Sequence, residues 1–126
     1  MSAWLVDTHA LLWFLEGVED LSGTARVTME DRDSVLLVSA ASVWEIAIKS
    51  SLGKLSVPDD LLGELDAQGF RFLDVSPGHA WEVRRLSMGT HKDPFDRLLA
   101  AQALYEGLPI ISGDAQLDEY GIHRHW

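Results

Sequence analysis

The amino-acid sequence predicts an α/β fold with three layers, in which a central, mostly parallel sheet of four to five strands is flanked by helices. Short apolar runs alternate along the chain with segments of helical periodicity. Strands separated by helices are joined by crossover connections, which place neighbouring strands parallel. No repeat, low-complexity tract or linker interrupts the pattern, so we expect residues 1–126 to form a single domain.

Five segments are predicted strands: 3–7, 34–39, 71–76, 108–114 and 122–126. The last of them alternates in polarity, with His123 and His125 on one side. This pattern favours an edge strand over a shared metal site. Helical periodicity, with Pro58 as a start signal and Gly17 and Gly53 as stop signals, predicts helices at 8–17, 22–32, 40–53, 58–69, 76–89, 94–107 and 115–121.

Composition excludes several classes of protein. The chain has no cysteine, so a disulfide framework and thiolate chemistry are excluded. The formal net charge of −10 argues against a protein that coats nucleic acid, because such binding needs clustered Lys and Arg. The apolar N-terminal segment lacks a cationic start and is interrupted by Asp7 and His9, so we expect a cytoplasmic protein without a signal peptide or membrane span.

Acidic residues follow the predicted strands at the positions where ligands bind in open α/β sheets. Asp7 ends the first strand, Glu45 lies early in the helix after the second, Asp96 lies in the first turn of a late helix, and Asp114 follows the fourth strand. Asp93 is a fifth candidate close by. The carboxyl ends of parallel strands meet at one edge of the sheet, so we expect these acids to share a cleft.

Each acid taken alone also has a local structural explanation. Asp7 and Asp114 are placed to cap helices, while Asp93 and Asp96 suit the N-cap and third position of a helix that begins at Pro94. Glu45 is placed to pair with Lys49 at i, i+4, or to close a capping box on Ser42.

The acids taken together indicate a metal site. Several carboxylates within roughly 4 to 6 Å repel one another and raise each other's pKa unless a cation is present. Oxygen ligands, without cysteine or an HExxH or CxxC motif, point to Mg²⁺ or Mn²⁺ rather than zinc. Such a site assists phosphoryl transfer, so metal-assisted hydrolysis of a phosphodiester is the favoured chemistry.

Four sequence blocks resemble the PIN-domain family, and in particular VapC toxins of bacterial and archaeal toxin–antitoxin pairs. The blocks are VDTHALLW, SAASVWEIAIKSSLGKL, HKDPFDRLLAAQA and PIISGD, in this order over nearly the whole chain. The resemblance implies a PIN-like fold, a Mg²⁺- or Mn²⁺-dependent endoribonuclease, a homodimer, and inhibition by a VapB-type antitoxin. The residues that match the family's acids, and so its metal ligands and catalytic residues, are Asp7, Glu45, Asp96 and Asp114.

Other residues are candidates for supporting roles. Asp93 is an accessory acid, while Thr8 and Ser112 are hydroxyls that could orient ligands or water. Positive charge for an RNA backbone could come from Lys49, His91, Lys92 and Arg97. Four tryptophans, at positions 4, 13, 44 and 81, are expected to be core or interface anchors. The apolar helices at 8–16 and 40–68 offer surface for a homodimer or an antitoxin.

The sequence also bears on four alternatives to this hypothesis. A haloacid-dehalogenase phosphatase needs a second Asp two residues after the first, where this chain has His9. A phospho-receiver domain needs a pair of acids at the first strand, which is absent here. A catalytically silent PIN-fold partner-binding module, and a DNA-directed or structure-specific PIN nuclease, remain open.

Overall fold

The computed structural model describes residues 2–87 and 93–126. Its centre is a five-stranded sheet in the order β3-β2-β1-β4-β5. The strands are β1 (Ser2–Val6), β2 (Ser34–Ser39), β3 (Arg71–Leu73), β4 (Ile110–Ile111) and β5 (Arg124–His125). Every pair of neighbouring strands is parallel. The predicted parallel α/β sheet is therefore confirmed, and β5 is an edge strand as the alternating tail indicated.

Helices connect the strands. They are α1 (Thr8–Glu16), α2 (Gly23–Glu30), α3 (Ala40–Ser51), α4 (Leu61–Ala67), α5 (Pro77–Glu82) and α6 (Pro94–Glu106). Short 3₁₀ segments span Val83–Arg85 and Ala115–Tyr120. Within the described ranges no helix is both long and apolar enough to cross a bilayer. The 13 residues of α6 are well short of the roughly 20 that a span requires.

Several predicted boundaries were wrong, each for a local reason. The helix expected from Pro58 begins at Leu61, because the Asp60 side chain accepts from Gly63 N and caps it there. The strand expected over 71–76 ends at Leu73, since Ser76 caps α5. The strand expected over 108–114 is confined to Ile110–Ile111. The segment after Asp114 is a 3₁₀ helix rather than an α-helix.

Alternating side chains of the central strands belong to two separate hydrophobic cores. Leu5 and Ile110 pack with α6, and their neighbours Val6 and Ile111 pack with α1, α2 and α4. Successive residues of a strand point to opposite faces of the sheet, so each face carries one core. On the α6 side, Ala100, Ala101 and Ala103 are at most 2% exposed, and their small side chains allow the helix to lie close to the sheet.

Strand register brings the ends of three strands together. Val6 of β1 pairs with Val38 of β2 on one side and with Ile111 of β4 on the other. The next residue along each strand is Asp7, Ser39 and Ser112, and all three are buried. The carboxyl edge of the sheet therefore carries a row of buried polar residues, which is the position expected for a ligand site.

The contact between α6 and the sheet can be tested by overpacking. We expect Ala101→Leu to lower the free energy of unfolding by about 1–3 kcal/mol, because a close-packed core cannot accept three more carbon atoms without strain. Urea denaturation followed by circular dichroism measures the change. Ala47→Leu on the exposed face of α3 is the matched control and should cost much less. Equal stability of both variants would show that α6 is not tightly packed.

Candidate active site at the carboxyl edge of the sheet

A cavity of about 400 Å³ opens at the carboxyl edge of the sheet. Three acids expected from the sequence line it, namely Asp7, Asp96 and Asp114. The other lining residues are His9, Trp13, Asp20, Gly113 and Trp126. The described part of the chain therefore places four carboxylates around one cleft, between strand ends and helix starts.

Asp7 is the most deeply placed of these acids, with 6% of its surface exposed. Its backbone N–H donates to Ile111 O at 3.1 Å, and its Oδ1 accepts from Ala10 N at 2.7 Å, which caps α1. Burial raises the pKa of the Asp7 carboxyl, and the nearby charge of Asp114 raises it further. Hydrogen bonds from Ser112 and Ala10 act in the opposite direction, as does His9. Burial is the largest effect and disfavours the ionised form, which a nearby cation would favour.

Ser112 lies between two of the acids. Its side chain hydrogen-bonds Asp7, and its Oγ accepts from the backbone N–H of Asp114 at 3.0 Å. Asp114 in turn accepts from Gln116 N through Oδ1 at 3.0 Å, which caps the 3₁₀ segment. Asp114 thus combines the capping role with a place in the cavity, and the buried serine fixes the spacing of the two carboxylates.

The sequence left two roles open for Asp93 and Asp96, namely capping the helix and lining the cavity, and each residue has one of them. Asp93 is the N-cap of α6, and its Oδ1 accepts from Phe95 N at 2.8 Å and from Asp96 N at 3.4 Å. Asp96 lies in the first turn and lines the cavity, whereas Asp93 does not. The helix start is therefore held by Asp93 and Pro94, which leaves the Asp96 carboxylate directed at the cleft.

Glu45 differs from the other predicted acids in its surroundings. It is 5% exposed and does not line the cavity, and its Oε2 forms an ion pair with Lys49 Nζ at 3.0 Å. The i, i+4 pair expected from the sequence is present. The other carboxylate oxygen, Oε1, is buried without a hydrogen-bond partner among the described residues. A buried carboxylate oxygen in this state is costly, so it is suited to accept a further ligand.

Thr8 and Ser42 form a buried hydrogen bond that ties α1 to α3. The Thr8 hydroxyl donates to Ser42 Oγ at 2.9 Å. The capping box of Ser42 and Glu45 is not formed, because Ser39 is the N-cap of α3 and accepts from Ala41 N. Thr8 therefore supports the packing of two helices that carry site acids.

Two of the four residues expected to supply positive charge for RNA, Lys49 and Arg97, are described by the structure, and both are engaged within the protein. Lys49 pairs with Glu45. Arg97 donates to Ser87 O at 2.9 Å and to the Tyr120 hydroxyl at 3.2 Å, so its guanidinium ties α6 to neighbouring segments. The phosphate-binding role of Arg97 stays a prediction beside this structural one. His91 and Lys92 lie outside the described residues.

The sequence did not single out some residues of the cavity. Asp20 lies in the connection after α1, where no periodicity marks it. His9 and Trp13 are four residues apart on α1, and this spacing was a usable signal for a shared face. Of the four tryptophans expected as anchors, Trp44 and Trp81 are 61% and 69% exposed, so neither is a core residue.

The donor set suits a hard divalent cation. The cavity offers carboxylate oxygens, one of them on a buried side chain whose pKa is raised by burial and by a like charge. Among residues 2–87 and 93–126, no three His, Asp or Glu side chains converge on a single point. Mg²⁺ keeps several waters and commonly takes only one or two carboxylates directly, so spaced acids are compatible with it.

Comparisons with known proteins agree with this geometry. The family model described as PIN domain matches residues 4–122. The chain is 28% identical to Ribonuclease VapC22 of Mycobacterium tuberculosis over 127 aligned positions, which cover 99% of this chain and 95% of that protein. This chain therefore belongs to the PIN domain family, as the four sequence blocks indicated.

Solved structures show the same fold. The crystal structure of VapBC2 from Rickettsia felis bound to a promoter DNA fragment matches with a TM-score of 0.71 at 11% identity, covering 97% of this chain and 96% of that chain. DNA-bound VapBC from Salmonella typhimurium matches with a TM-score of 0.67 at 17% identity, covering 98% and 97%. At such identities the likeness establishes the PIN-like architecture.

The raised pKa of Asp7 predicts a stability difference without metal. Above the ordinary value of 3.8, the folded state binds more protons at Asp7 than the unfolded state does. Stability therefore falls as pH rises from 3.8 through the folded pKa, and the cost persists at higher pH. We expect Asp7→Asn, which keeps the cap on Ala10, to be more stable than wild type at pH 7.5 in EDTA, with the difference shrinking toward pH 3.5.

Thermal and urea unfolding of both proteins over pH 3.5–8 measure this difference. Asp33→Asn, on an exposed acid, is the control and should show little change. A less stable Asp7→Asn variant at pH 7.5 would mean that the ionised carboxylate is favourable in its site, contrary to the effect of burial.

Asp93 provides a second test, which separates capping from chemistry. Asp93→Ala should lower the free energy of unfolding by about 1 kcal/mol, whereas Asp93→Ser should retain most of the stability because serine also caps helices. Urea denaturation compares the variants. Equal stability of the alanine and serine variants would refute the capping role.

Proposed function

We propose that this chain is a VapC-type toxin, a ribonuclease that hydrolyses phosphodiester bonds in RNA. The observation that carries the proposal is the cavity lined by Asp7, Asp96 and Asp114, in a chain of the PIN domain family. Similarity to Ribonuclease VapC22 along nearly the whole chain supports RNA as the substrate class. Endonucleolytic cleavage within RNA is the expected reaction.

Mg²⁺ or Mn²⁺ is the proposed cofactor. Asp7, Asp96 and Asp114 would hold it from the cavity, and the free Oε1 of Glu45 is a further oxygen at hand on the neighbouring helix. When bound, a divalent cation activates water and offsets the charge that develops on the transferring phosphate. Loss of any one of these acids should weaken that stabilisation.

The chain's own groups fix the positions on which the reaction depends. Ser112 and the N–H of Ala10 hold the Asp7 carboxylate in one orientation, so little reorganisation is needed during the reaction. Asp114 is anchored through Ser112 and Gln116, yet it remains partly exposed to the cavity and can accept a hydrogen bond from water. Asp96 faces them from the start of α6, so a phosphodiester in the cleft would be flanked by acids from separate elements.

A VapB-type antitoxin and a second copy of the chain are the proposed protein partners. The similar structures from Rickettsia felis and Salmonella typhimurium are titled as VapBC complexes. On this chain Trp44, Leu52 and Leu62 are each at least 50% exposed, so α3 and α4 retain apolar surface for a partner. By contrast, the apolar residues Leu12–Leu15 of α1 pack against the core. Light scattering of the isolated chain should give twice 14.0 kDa, and addition of the antitoxin should suppress cleavage.

Two alternatives are distinguished by the same assay. A carboxylate and metal site does not by itself discriminate ribose from deoxyribose, so a DNA-directed or structure-specific PIN nuclease would cut DNA or one folded substrate. A catalytically silent partner-binding module would cut neither. The substrate preference of antitoxin-free protein decides among these functions.

The deciding experiment compares cleavage of a panel of single-stranded and folded RNAs with matching DNAs. Wild type, Asp7→Asn and Asp96→Asn are assayed with Mg²⁺, with Mn²⁺ and with EDTA. We expect RNA cleavage only with a divalent ion, and a loss of at least about 10²–10³ in kcat for either variant, the scale seen when one group that stabilises developing charge is removed.

Asp33→Asn is the matched control, since it removes one exposed carboxylate away from the cavity and should cut at the wild-type rate. Calorimetry with Mg²⁺ and circular dichroism accompany the assay. Folded wild-type protein that neither cuts any substrate nor binds a divalent ion would refute the nuclease function and favour the silent module. Preferential cutting of DNA would refute RNA as the substrate.

A further inference from the structure

Three rings form one side of the acidic cavity. His9 and Trp13 are stacked, with ring centroids 5.7 Å apart and planes inclined by 29°. The ring centroids of Trp13 and Trp126 are 6.0 Å apart. All three residues line the cavity together with Asp7, Asp96 and Asp114. We call His9, Trp13 and Trp126 the aromatic wall. Holding a metal ion does not require such a surface, so the wall calls for a different explanation.

Two of the three rings of the wall are held in place by the fold, whereas His9 is exposed. Trp13 and Trp126 are half-buried, and each packs in part against the core. The strand before Trp126 is fixed by Ser112 N, which donates to His125 O at 3.3 Å, and by Arg124, which forms an ion pair with Asp118 at 2.9 Å. A surface ordered in advance loses little conformational entropy when a ligand binds to it.

Gly113 allows the indole to lie against the chain beside Asp114. A Cβ built on Gly113 would lie 3.0 Å from Cε2 and Cζ2 of Trp126, closer than ordinary contact. A glycine at this position therefore lets the ring of Trp126 approach the backbone immediately before a site acid. The indole of Trp126 consequently packs against the backbone next to Asp114, which places the aromatic wall beside one of the site acids.

The acidic lining of the cavity favours contacts with nucleic acid that do not depend on charge. The described residues that line the cavity include four carboxylates, one histidine, and no lysine or arginine. Lys49 pairs with Glu45, and Arg97 donates to backbone carbonyls and Tyr120. Nucleic-acid backbones are normally bound by clustered cations, which this lining does not supply. Stacking of a base on an aromatic ring is independent of that charge.

We infer that the aromatic wall stacks an unpaired base of the substrate RNA beside the phosphate to be cut, an inference that rests on the proposed ribonuclease function. Unpaired bases are commonly bound in this way, on Trp, Tyr, Phe or His side chains, because their faces are accessible only outside a duplex. The cavity of about 400 Å³ lies within the size range of small-ligand sites, roughly 300–1,000 Å³. The wall would select single-stranded segments rather than a particular base.

The test uses His9→Ala and Trp126→Leu, with His9→Phe as a variant that keeps a ring without the imidazole. Trp81→Leu is the matched control, because Trp81 is 69% exposed on α5 and does not line the cavity. Substrates are a single-stranded RNA cut by wild type, the same RNA with one abasic nucleotide next to the cut, and its duplex. KM, kcat and thermal stability are measured for each protein.

We expect His9→Ala and Trp126→Leu to raise KM about 5- to 150-fold, the scale for removing one stacking ring, with a smaller effect on kcat. His9→Phe should restore a KM near that of wild type. The abasic RNA should bind wild type more weakly, and the variants should lose less on it. In the Asp96→Asn background, a 2-aminopurine beside the cut should be quenched on binding, and Trp126→Leu should remove that quenching.

The outcomes separate this inference from the proposed function. If wild type cuts RNA while His9→Ala and Trp126→Leu keep their KM and remain folded, the inference is wrong and the ribonuclease function stands. If His9→Phe is as impaired as His9→Ala, the imidazole acts through its polarity and stacking is refuted for that ring. If wild type cuts no RNA, the proposed function fails and the inference fails with it.

Discussion

The site depends on one buried junction, where Asp7 leaves the central strand. Its N–H completes the ladder to Ile111, while its carboxylate caps α1 and remains at 6% exposure. The residue therefore joins the sheet, the first helix and the cavity in a single position. Burial favours the protonated form of the carboxyl, and the charge of Asp114 adds to that effect. The fold thus creates an electrostatic cost at the point where a cation would remove it, so local structure and chemistry cannot be varied independently here.

Capping and a place in the candidate site were competing explanations in the sequence, and one helix start in the structure provides for both. Asp93 and Pro94 begin α6, which relieves Asp96 of the capping role and leaves it on the cavity. Asp7 and Asp114 instead cap a helix and also line the cavity. A cap uses one of the two carboxylate oxygens: the backbone N–H groups of Ala10 and Gln116 donate to Oδ1 of Asp7 and of Asp114, respectively. An acid at the N-terminus of a helix is also stabilised by the helix dipole. A helix start at a sheet edge therefore offsets part of the electrostatic cost of placing carboxylates close together.

The parts of the fold that were predictable from sequence are those with strong local signals. Strand 34–39 was exact because an apolar run lies between polar turns, and α6 was nearly exact because Pro94 and Gly107 mark its ends. β3, β4 and the 3₁₀ segment were misjudged, since side-chain caps at Ser76 and Asp114 end or redirect the chain where hydrophobicity continues. At the site, the acids followed from the strand-end rule. The position of Glu45 outside the cavity lining, and the meeting of Trp13 with Trp126, depend on long-range packing that no local pattern encodes.

The cavity poses a general problem for an acidic nuclease. The chain carries a formal charge of −10, and its described cavity lining adds no lysine or arginine to oppose four carboxylates. A phosphodiester brought into that field is repelled unless a cation is already there, so a bound divalent ion and a phosphodiester substrate would each raise the affinity for the other. Coupling of this kind would make the metal-free protein a weak RNA binder, so that RNA would bind tightly only when the metal ion is present. A neutral aromatic surface would offset part of that repulsion, because base stacking does not require the ring or the base to be charged. The rings beside Asp114 thus add an uncharged surface to a cavity whose described lining is otherwise acidic.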